Sequence, residues 1–279
     1  VKRFLILSIL AIIALGGWWI WENPHQLQET LKEYVDVGEV LTLEARYTPE
    51  QLMEKHRKTL ISDAQHSYQE PILRFYPHLL FETKYAQGDR KTREGNLLWS
   101  LTDGEIILDT ETWEKTHGYE DAIQAGANRG DFRILFVLAR RGGSLTREEL
   151  QQELHVESDA LISLISSALE KHLIIQIGNQ YQLHFQNPKI LIIPETKIKQ
   201  TLVTKPINSL QKAPKRYTRS QVEKIAYAAF GPAFTIRNVH EVLIPVYSIA
   251  VQNPDGSTHH SYWNALTGQP FIAQLIPTY

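Results

Sequence analysis

Apolar residues recur along this chain in three rhythms, and each rhythm predicts a different element. The first is an uninterrupted run from Phe4 to Trp21, FLILSILAIIALGGWWIW, with no charge in it. As a helix its 18 residues extend about 27 Å, enough to cross a thin hydrocarbon core. The second rhythm is alternation of apolar and polar positions. It appears at Leu41 to Thr48 and through ILRFYPHLLFETKYA, Ile72 to Ala86, where Pro77 predicts a bulge or a sheet edge. Two further runs, NLLWSL and IILDTETW, flank the turn Thr102-Asp103-Gly104-Glu105 and predict a hairpin that ends near Trp113. The third rhythm is helical. Leu52, His56 and Leu60 share a face after Thr48-Pro49-Glu50-Gln51, where threonine caps, proline suits the first helical position and glutamine completes a capping box.

Helical spacing returns at DFRILFVLARRGG, with Ile134, Leu135, Val137 and Leu138 on one stripe and a stop at Gly142-Gly143. A second capping box, Thr146-Arg147-Glu148-Glu149, opens a short helix that turns Leu150 and Leu154 inward. After Val156-Glu157-Ser158 comes a third helix, striped by Leu161, Leu164, Ile165, Ala168 and Leu169. LIIQI, the turn Gly178-Asn179-Gln180 and YQLHF then predict a hairpin. Three helices with this spacing, the stretch ARRGGSLTREELQQEL, and a closing hairpin resemble the winged-helix family from Asp131 to Phe185. The resemblance implies a scaffold on which the third helix is the recognition helix and the hairpin the wing.

From Pro188 to Lys224 the character changes. Lys189, Lys197, Lys199, Lys205, Lys212, Lys215, Arg216, Arg219 and Lys224 face only Glu195 and Glu223, a surplus of seven positive charges. Pro188, Pro194, Pro206 and Pro214 interrupt any long element. The expectation is a basic, mostly extended linker, able to touch acidic headgroups if it lies near a bilayer. TRSQVEKIAYAAFG then predicts a helix capped by Thr218 and ended at Gly231-Pro232, with Val222, Ile225, Ala226 and Ala229 inward. FTIRNVHEV, LIPVYSIAVQ and STHHSYWNALTGQPF come next as strands about the turn Asn253-Pro254-Asp255-Gly256. This helix, with Val246-Tyr247-Ser248-Ile249, Asp255-Gly256 and Tyr262-Trp263-Asn264-Ala265-Leu266-Thr267-Gly268, resembles the PepSY-type module, although Asn264 stands where such modules usually carry aspartate. That resemblance implies an exported or membrane-tethered protein that binds or restrains partner proteins, peptidases among them.

Charge alters the picture drawn by pattern. The whole chain is near neutral, at −2, so no global basic field attracts nucleic acid. Between Ser144 and His172 the cations are Arg147 and Lys171, against Glu148, Glu149, Glu153, Glu157, Asp159 and Glu170. Affinity for DNA comes mainly from neutralised phosphates, so this surface repels DNA. The third helix opens on Glu157-Ser158-Asp159-Ala160 where base readout wants arginine, lysine, asparagine or glutamine. Its outer face, Ser163, Ser166, Ser167 and Glu170, suits close protein packing and is the candidate protein-binding face. Nucleic acid is therefore not an expected partner; other proteins, membrane or envelope proteins first among them, are.

Catalytic chemistry is not announced. The chain has no G-x-S-x-G elbow, no H-E-x-x-H and no P-loop. It has no cysteine, which excludes disulfides, thiolate catalysis and cysteine-ligated zinc. Glu105, Asp109 and Glu111 alternate along one strand and are expected on its solvent face. His259 and His260 are adjacent on a strand and point to opposite faces, so they cannot share a metal. No catalytic residue, cofactor or metal ligand is assigned.

The expected architecture is α+β. A transmembrane signal anchor over 1–22 precedes a connector and small α+β domain over 23–117. Beyond these lie a winged-helix-like domain over 118–187, the basic linker over 188–217 and a PepSY-like helix-plus-antiparallel-sheet module over 218–279. Lys2 and Arg3 before the apolar run, and Glu22, Glu29, Glu33, Asp36 and Glu39 after it, place the N-terminus in the cytoplasm and the rest outside. Trp18, Trp19 and Trp21 would sit at the far membrane interface. The alternative is a signal peptide cleaved after Ala14-Leu15-Gly16. The leading functional expectation is a membrane-anchored extracytoplasmic interaction, assembly or regulatory protein without catalytic activity, bound to the lipid bilayer through its first helix. A membrane-tethered winged-helix transcription regulator, with its soluble part in the cytoplasm, is the runner-up. An envelope hydrolase whose residues meet only in the fold is the third.

Overall fold

A computed structural model describes residues 39–61, 66–87, 91–206 and 211–271. The expected anchor and its Trp18, Trp19 and Trp21 lie outside them. Among the described residues no helix is long and apolar enough to cross a membrane.

The architecture is mixed α+β. Two strands dominate it: β3 (Ile72–Gln87) and β12 (Thr235–Gln252), paired antiparallel from Lys84 with Thr235 to Phe75 with Pro245. Around them a ten-stranded sheet gathers β1 (Glu39–Leu43), β2 (Ser67–Tyr68), β4 (Lys91–Ser100), β5 (Ile106–Asp109) and β6 (Glu114–Lys115). Its remaining strands are β10 (Leu202–Pro206), β11 (Gln211–Lys212) and β13 (Thr258–Asn264). The strands expected of two separate modules, 23–117 and 218–279, thus share one sheet. FTIRNVHEV and LIPVYSIAVQ, expected as separate strands, run together as β12, with an irregularity between Ile236 and Asn238.

Two prolines inside the central strands explain how those strands change neighbours. Proline has no N–H to give to a ladder, so it fits only where none is needed. On one side of β3 the partner changes from β11, at Arg74 and Phe75, to β4, from His78 onward. Pro77 stands at the change, and its carbonyl accepts from the Leu101 N–H at 3.0 Å. On the outer side of β12 the partner changes from β1, at Leu243, to β13, from Val246. Pro245 stands there, and its carbonyl accepts from Ala265.

Alternation along the strands divides the core between the two faces of the sheet. Leu79, Phe81, Leu97, Trp99 and Ile106 point to one side, where the helices lie. Tyr76, Leu80, Leu98, Ile107, Val242 and Ile244 point to the other, which Ala213, Trp113 and Phe271 help close. Helices α1 (Pro49–Lys55) and α2 (Arg57–Leu60) pack Leu52 and Leu60 with Ile249, Val251 and Trp263. The capping box at Thr48 and Gln51 is formed as the sequence predicts. His56, expected on the same face, lies 4.1 Å from the Trp263 ring and bonds the Gly268 carbonyl at 2.8 Å.

The helical face carries α3 (Tyr119–Gln124), α4 (Arg129–Arg140), α5 (Arg147–Leu154), α6 (Ser158–Glu170) and α7 (Arg219–Phe230). Helix α4 buries Phe132, Ile134, Leu135, Val137 and Leu138 over a wide arc and keeps Arg129, Arg133 and Arg140 on the remaining exposed stripe, as expected of a helix covered on more than one side. One side meets α5 and α6, the other α7. Aromatic rings continue the contact: Phe81 to Trp99, Trp99 to Tyr119, and Tyr119 to both Phe132 and Phe230. Strands β7 (Ser144–Thr146), β8 (Ile174–Ile177) and β9 (Gln180–Leu183) make a second, three-stranded sheet in the order β7-β9-β8. The chain order there is α4, β7, α5, α6, β8, β9.

The segment expected as a free linker is stitched to the sheet. Lys189 bridges His117, Lys197 bridges Asp109, and Thr196 bonds Asn96, Leu98 and Ile107. Much of its positive charge is paired, Lys189 with Glu114, Lys215 with Glu241, Arg216 with Glu120 and Arg219 with Glu223.

Candidate functional site

Helix α6 is built to show one face and bury another. Leu161, Ile165 and Ala168 are buried at helical spacing, which turns Ile162, Ser163, Ser166 and Glu170 outward. Ser167, expected on the outer face, is only half-exposed and has a different task. Its hydroxyl donates to Asp131 Oδ1 at 2.8 Å. Asp131 is fully buried at the start of α4, where it and Asn128 form a reciprocal capping box. Its Oδ2 accepts from the Asn128 N–H at 2.8 Å and from Lys171 Nζ at 2.5 Å. The end of α6 is thereby fastened to the beginning of α4. A buried carboxylate needs such partners, because leaving one unpaired costs several kcal/mol.

This latch sharpens the electrostatics of the outer face. Of the two cations between Ser144 and His172, Lys171 is consumed by Asp131, and Arg147 holds the Ser158 hydroxyl at 2.9 Å. Among the described residues Glu157, Asp159 and Glu170 enter no ion pair. The paired cations of the 188–219 stretch meet Glu114, Glu120, Glu241 and Glu223 instead. Arg141, at the end of α4, pairs with Glu153 and holds that carboxyl below its usual range. The exposed side of α6 therefore stays negative.

A second surface lies on the opposite side of α4 and was not visible to sequence reasoning. A cleft of about 470 Å³ opens between α4, α7, the end of β3 and the stretch Ile190–Pro194. Phe136, Phe230 and Ala233 line it, with Leu191 and Ile193 along one wall and Arg140 beside them. Leu191 is 46% exposed and Ile193 49%, which is high for such side chains. The signal that would have found this wall is a period of two. Ile190, Pro194 and Thr196 are buried, while Leu191, Ile193, Glu195 and Lys197 face out. The lysines and prolines of that stretch obscured it.

Of the hairpin acids, Glu111 is exposed as expected and Asp109 partly so, but Glu105 is not. Glu105, expected on a solvent face, is buried. Its carboxylate accepts from Thr116 Oγ1 at 2.6 Å and from the N–H groups of Gly118 and Glu120 at 2.9 and 3.1 Å. It thus ties the hairpin to the entry of α3. Burial pushes its carboxyl above the usual range, against those three bonds. Burial acts the same way on Asp103, but the Lys115 ammonium at 2.7 Å and the Ser100 and Glu105 bonds outweigh it and hold that carboxyl low. Nearby His78 is fully buried and donates from Nδ1 to the Tyr76 carbonyl at 2.9 Å. Burial pushes its pKa down to about 4, so the ring is neutral at physiological pH. These groups close a sheet end, tying the hairpin to the entry of α3.

Among the described residues no three histidine, aspartate or glutamate side chains gather as metal ligands. Searches of known protein families, curated proteins and solved structures found no match to this chain.

Proposed function

We propose that the protein is a single-pass membrane protein that works by binding other proteins outside the cytoplasm, as an assembly or regulatory factor without catalytic activity. The anchor is the apolar run over 1–22, whose basic front and acidic rear favour export of the chain beyond it. The order α4, β7, α5, α6, β8, β9 supports reading this part as a winged-helix scaffold, with α6 in the place of the recognition helix. The path from α7 through β12 and β13 supports the PepSY-like reading. There Asn264 Oδ1 accepts from the Leu266 N–H at 2.8 Å, a turn-closing bond that an aspartate would make with the same oxygen.

One observation carries the reading: among the described residues the outward face of α6 has no unengaged cation, and its carboxylates enter no ion pair. A surface that touches DNA gains affinity by releasing counterions from phosphates, and this face has nothing to exchange for them. A scaffold can keep its shape and change its ligand, because function resides in the site.

Reporter fusions at Tyr279 test the topology. Active alkaline phosphatase and a silent cytoplasmic reporter are expected; the reverse pattern removes the proposal and favours the tethered transcription regulator. Tight, steeply salt-dependent DNA retention in a mobility-shift titration would do the same.

A further inference from the structure

The cleft beside α4 has a wall with free hydrogen-bonding groups. The chain is pinned on either side of it, at Lys189 by His117 and at Thr196 and Lys197 by Asn96 and Leu108. Between the pins the Ile190 and Pro194 carbonyls accept from Tyr119 Oη at 3.1 Å and Thr83 Oγ1 at 3.4 Å, and two N–H groups close short local bonds, Ile192 to Ile190 O at 3.1 Å and Glu195 to Ile193 O at 2.7 Å. Among the described residues the N–H groups of Leu191 and Ile193 and the Leu191 carbonyl have no hydrogen-bond partner. Residues two apart in an extended chain point their backbone groups the same way, so these groups form the beginning of a ladder. The stretch is not itself a strand, but free backbone groups repeated along an exposed chain can pair with another extended chain as an open edge does.

The cleft next to that edge is apolar where Phe136, Ala229, Phe230 and Ala233 line it. Its one charged lining residue is Arg140, which is exposed and makes no hydrogen bond or ion pair among the described residues. A guanidinium so placed selects a carboxylate.

We infer that this cleft is a docking groove for an extended peptide segment of a partner protein. The segment lays its backbone along Leu191–Ile193, inserts an apolar side chain between Phe136 and Phe230, and sets an aspartate or glutamate against Arg140. This deepens the protein-binding reading and rests on it. It assigns the partner's chemistry: an alternating apolar stretch with an acid at one end, recognised by strand addition. The surface is separate from α6, which is acidic where this one carries a cation.

The test uses the full-length chain in detergent micelles and a short fluorescein-labelled synthetic peptide of alternating valine and threonine ending in two aspartates. Fluorescence anisotropy should show saturable binding. Arg140→Glu should weaken it about tenfold, the loss of a single charge pair at a rim. Replacing the peptide's aspartates by lysine should weaken it similarly, and N-methylating the peptide's alternate amides should abolish it. Ala233→Trp, which fills the cleft, should also abolish it while Arg140→Glu, a surface change, keeps the circular dichroism and melting temperature of the wild type. No saturable binding, or binding indifferent to Arg140→Glu and to N-methylation, overturns the proposal. Displacement of the peptide by dodecanoate with indifference to N-methylation overturns it too, because the cleft then takes a small amphiphile. Crosslinking in native membranes separates this failure from that of the broader reading. Partners captured equally by wild type and Arg140→Glu leave protein binding standing and remove the groove; no captured partner removes the broader reading.

Discussion

The region from α4 to β9 and the ten-stranded sheet solve the same problem at different ranges. In the first, the partners lie close in sequence: α4 meets α5 and α6, β8 pairs with β9, and Asp131 is held by Ser167 and Lys171. In the second, the central ladder joins β3 to β12 across more than half the chain, and the 189–197 stretch returns to strands laid down long before it. Yet the two regions share one core, because α4 contributes buried residues to both and the rings from Phe81 to Phe132 run between them. Local closure gives the smaller region its shape, while the sheet and α7 give α4 its second cover.

The largest expected effect tests that shared core. Trp99 is fully buried, and its indole N–H donates to the Gly104 carbonyl at 2.7 Å. Trp99→Ala should cost about 3–5 kcal/mol of stability in denaturant melts. Native-state hydrogen exchange should then rise in α6 as well as in β12. If α6 keeps its protection, the helical region is an independent unit and the comparison fails.

His78 gives the next effect, and it belongs to the sheet alone. Its folded pKa lies near 4, below the 6.5 of an open chain. The unfolded state therefore binds more protons between these values, so stability falls as pH drops from 6.5 towards 4 and rises with pH in that window. The full span amounts to about 3 kcal/mol. Glu105 titrates with the opposite sign, since its carboxyl is raised. The difference between wild type and His78→Gln in urea melts across that window isolates the histidine. A pH-independent difference would show that His78 is solvated.

The smallest effect is confined to the helical region. Lys171→Gln leaves the Asp131 bonds from Ser167 and from the Asn128 N–H in place and removes only the charged partner, itself a quarter exposed. About 1–2 kcal/mol should be lost, reduced by adding salt to the wild type. Loss in the variant that is equal at low and high salt would mean that packing, not charge, holds α6 to α4.

The same contrast explains what could be read from the sequence. The capping boxes at Thr48 and Thr146, the cap at Thr218, the hairpin turn at Gly104 and the succession of three helices and a hairpin from α4 to β9 are encoded within a few residues, and they form as the pattern predicts. Periodicity tells which face of an element is apolar, not what will lie against it. Hence β3 and β12 were legible as strands but not as neighbours. Ser167 looked like Ser163 and Ser166 because all three are serines on one helix; only the buried Asp131 distinguishes it. Glu105 looked like a surface acid because the backbone N–H groups of Gly118 and Glu120, which receive it, carry no mark in a sequence. The cleft wall was hidden for the opposite reason, since its alternation sits among lysines and prolines that signal a connector.

The central pair of strands also sets an order of events during synthesis. Until Thr235–Gln252 leaves the ribosome, Ile72–Gln87 has β4 and the short β11 along one side and its long second edge unpaired, and the helices beneath wait on a half-built floor. Pairing this distant in sequence is slow to form. The stretch from Thr235 onward is thus the keystone, and synthesis stalled before it would leave a nascent chain with Ile72–Gln87 bare on one side.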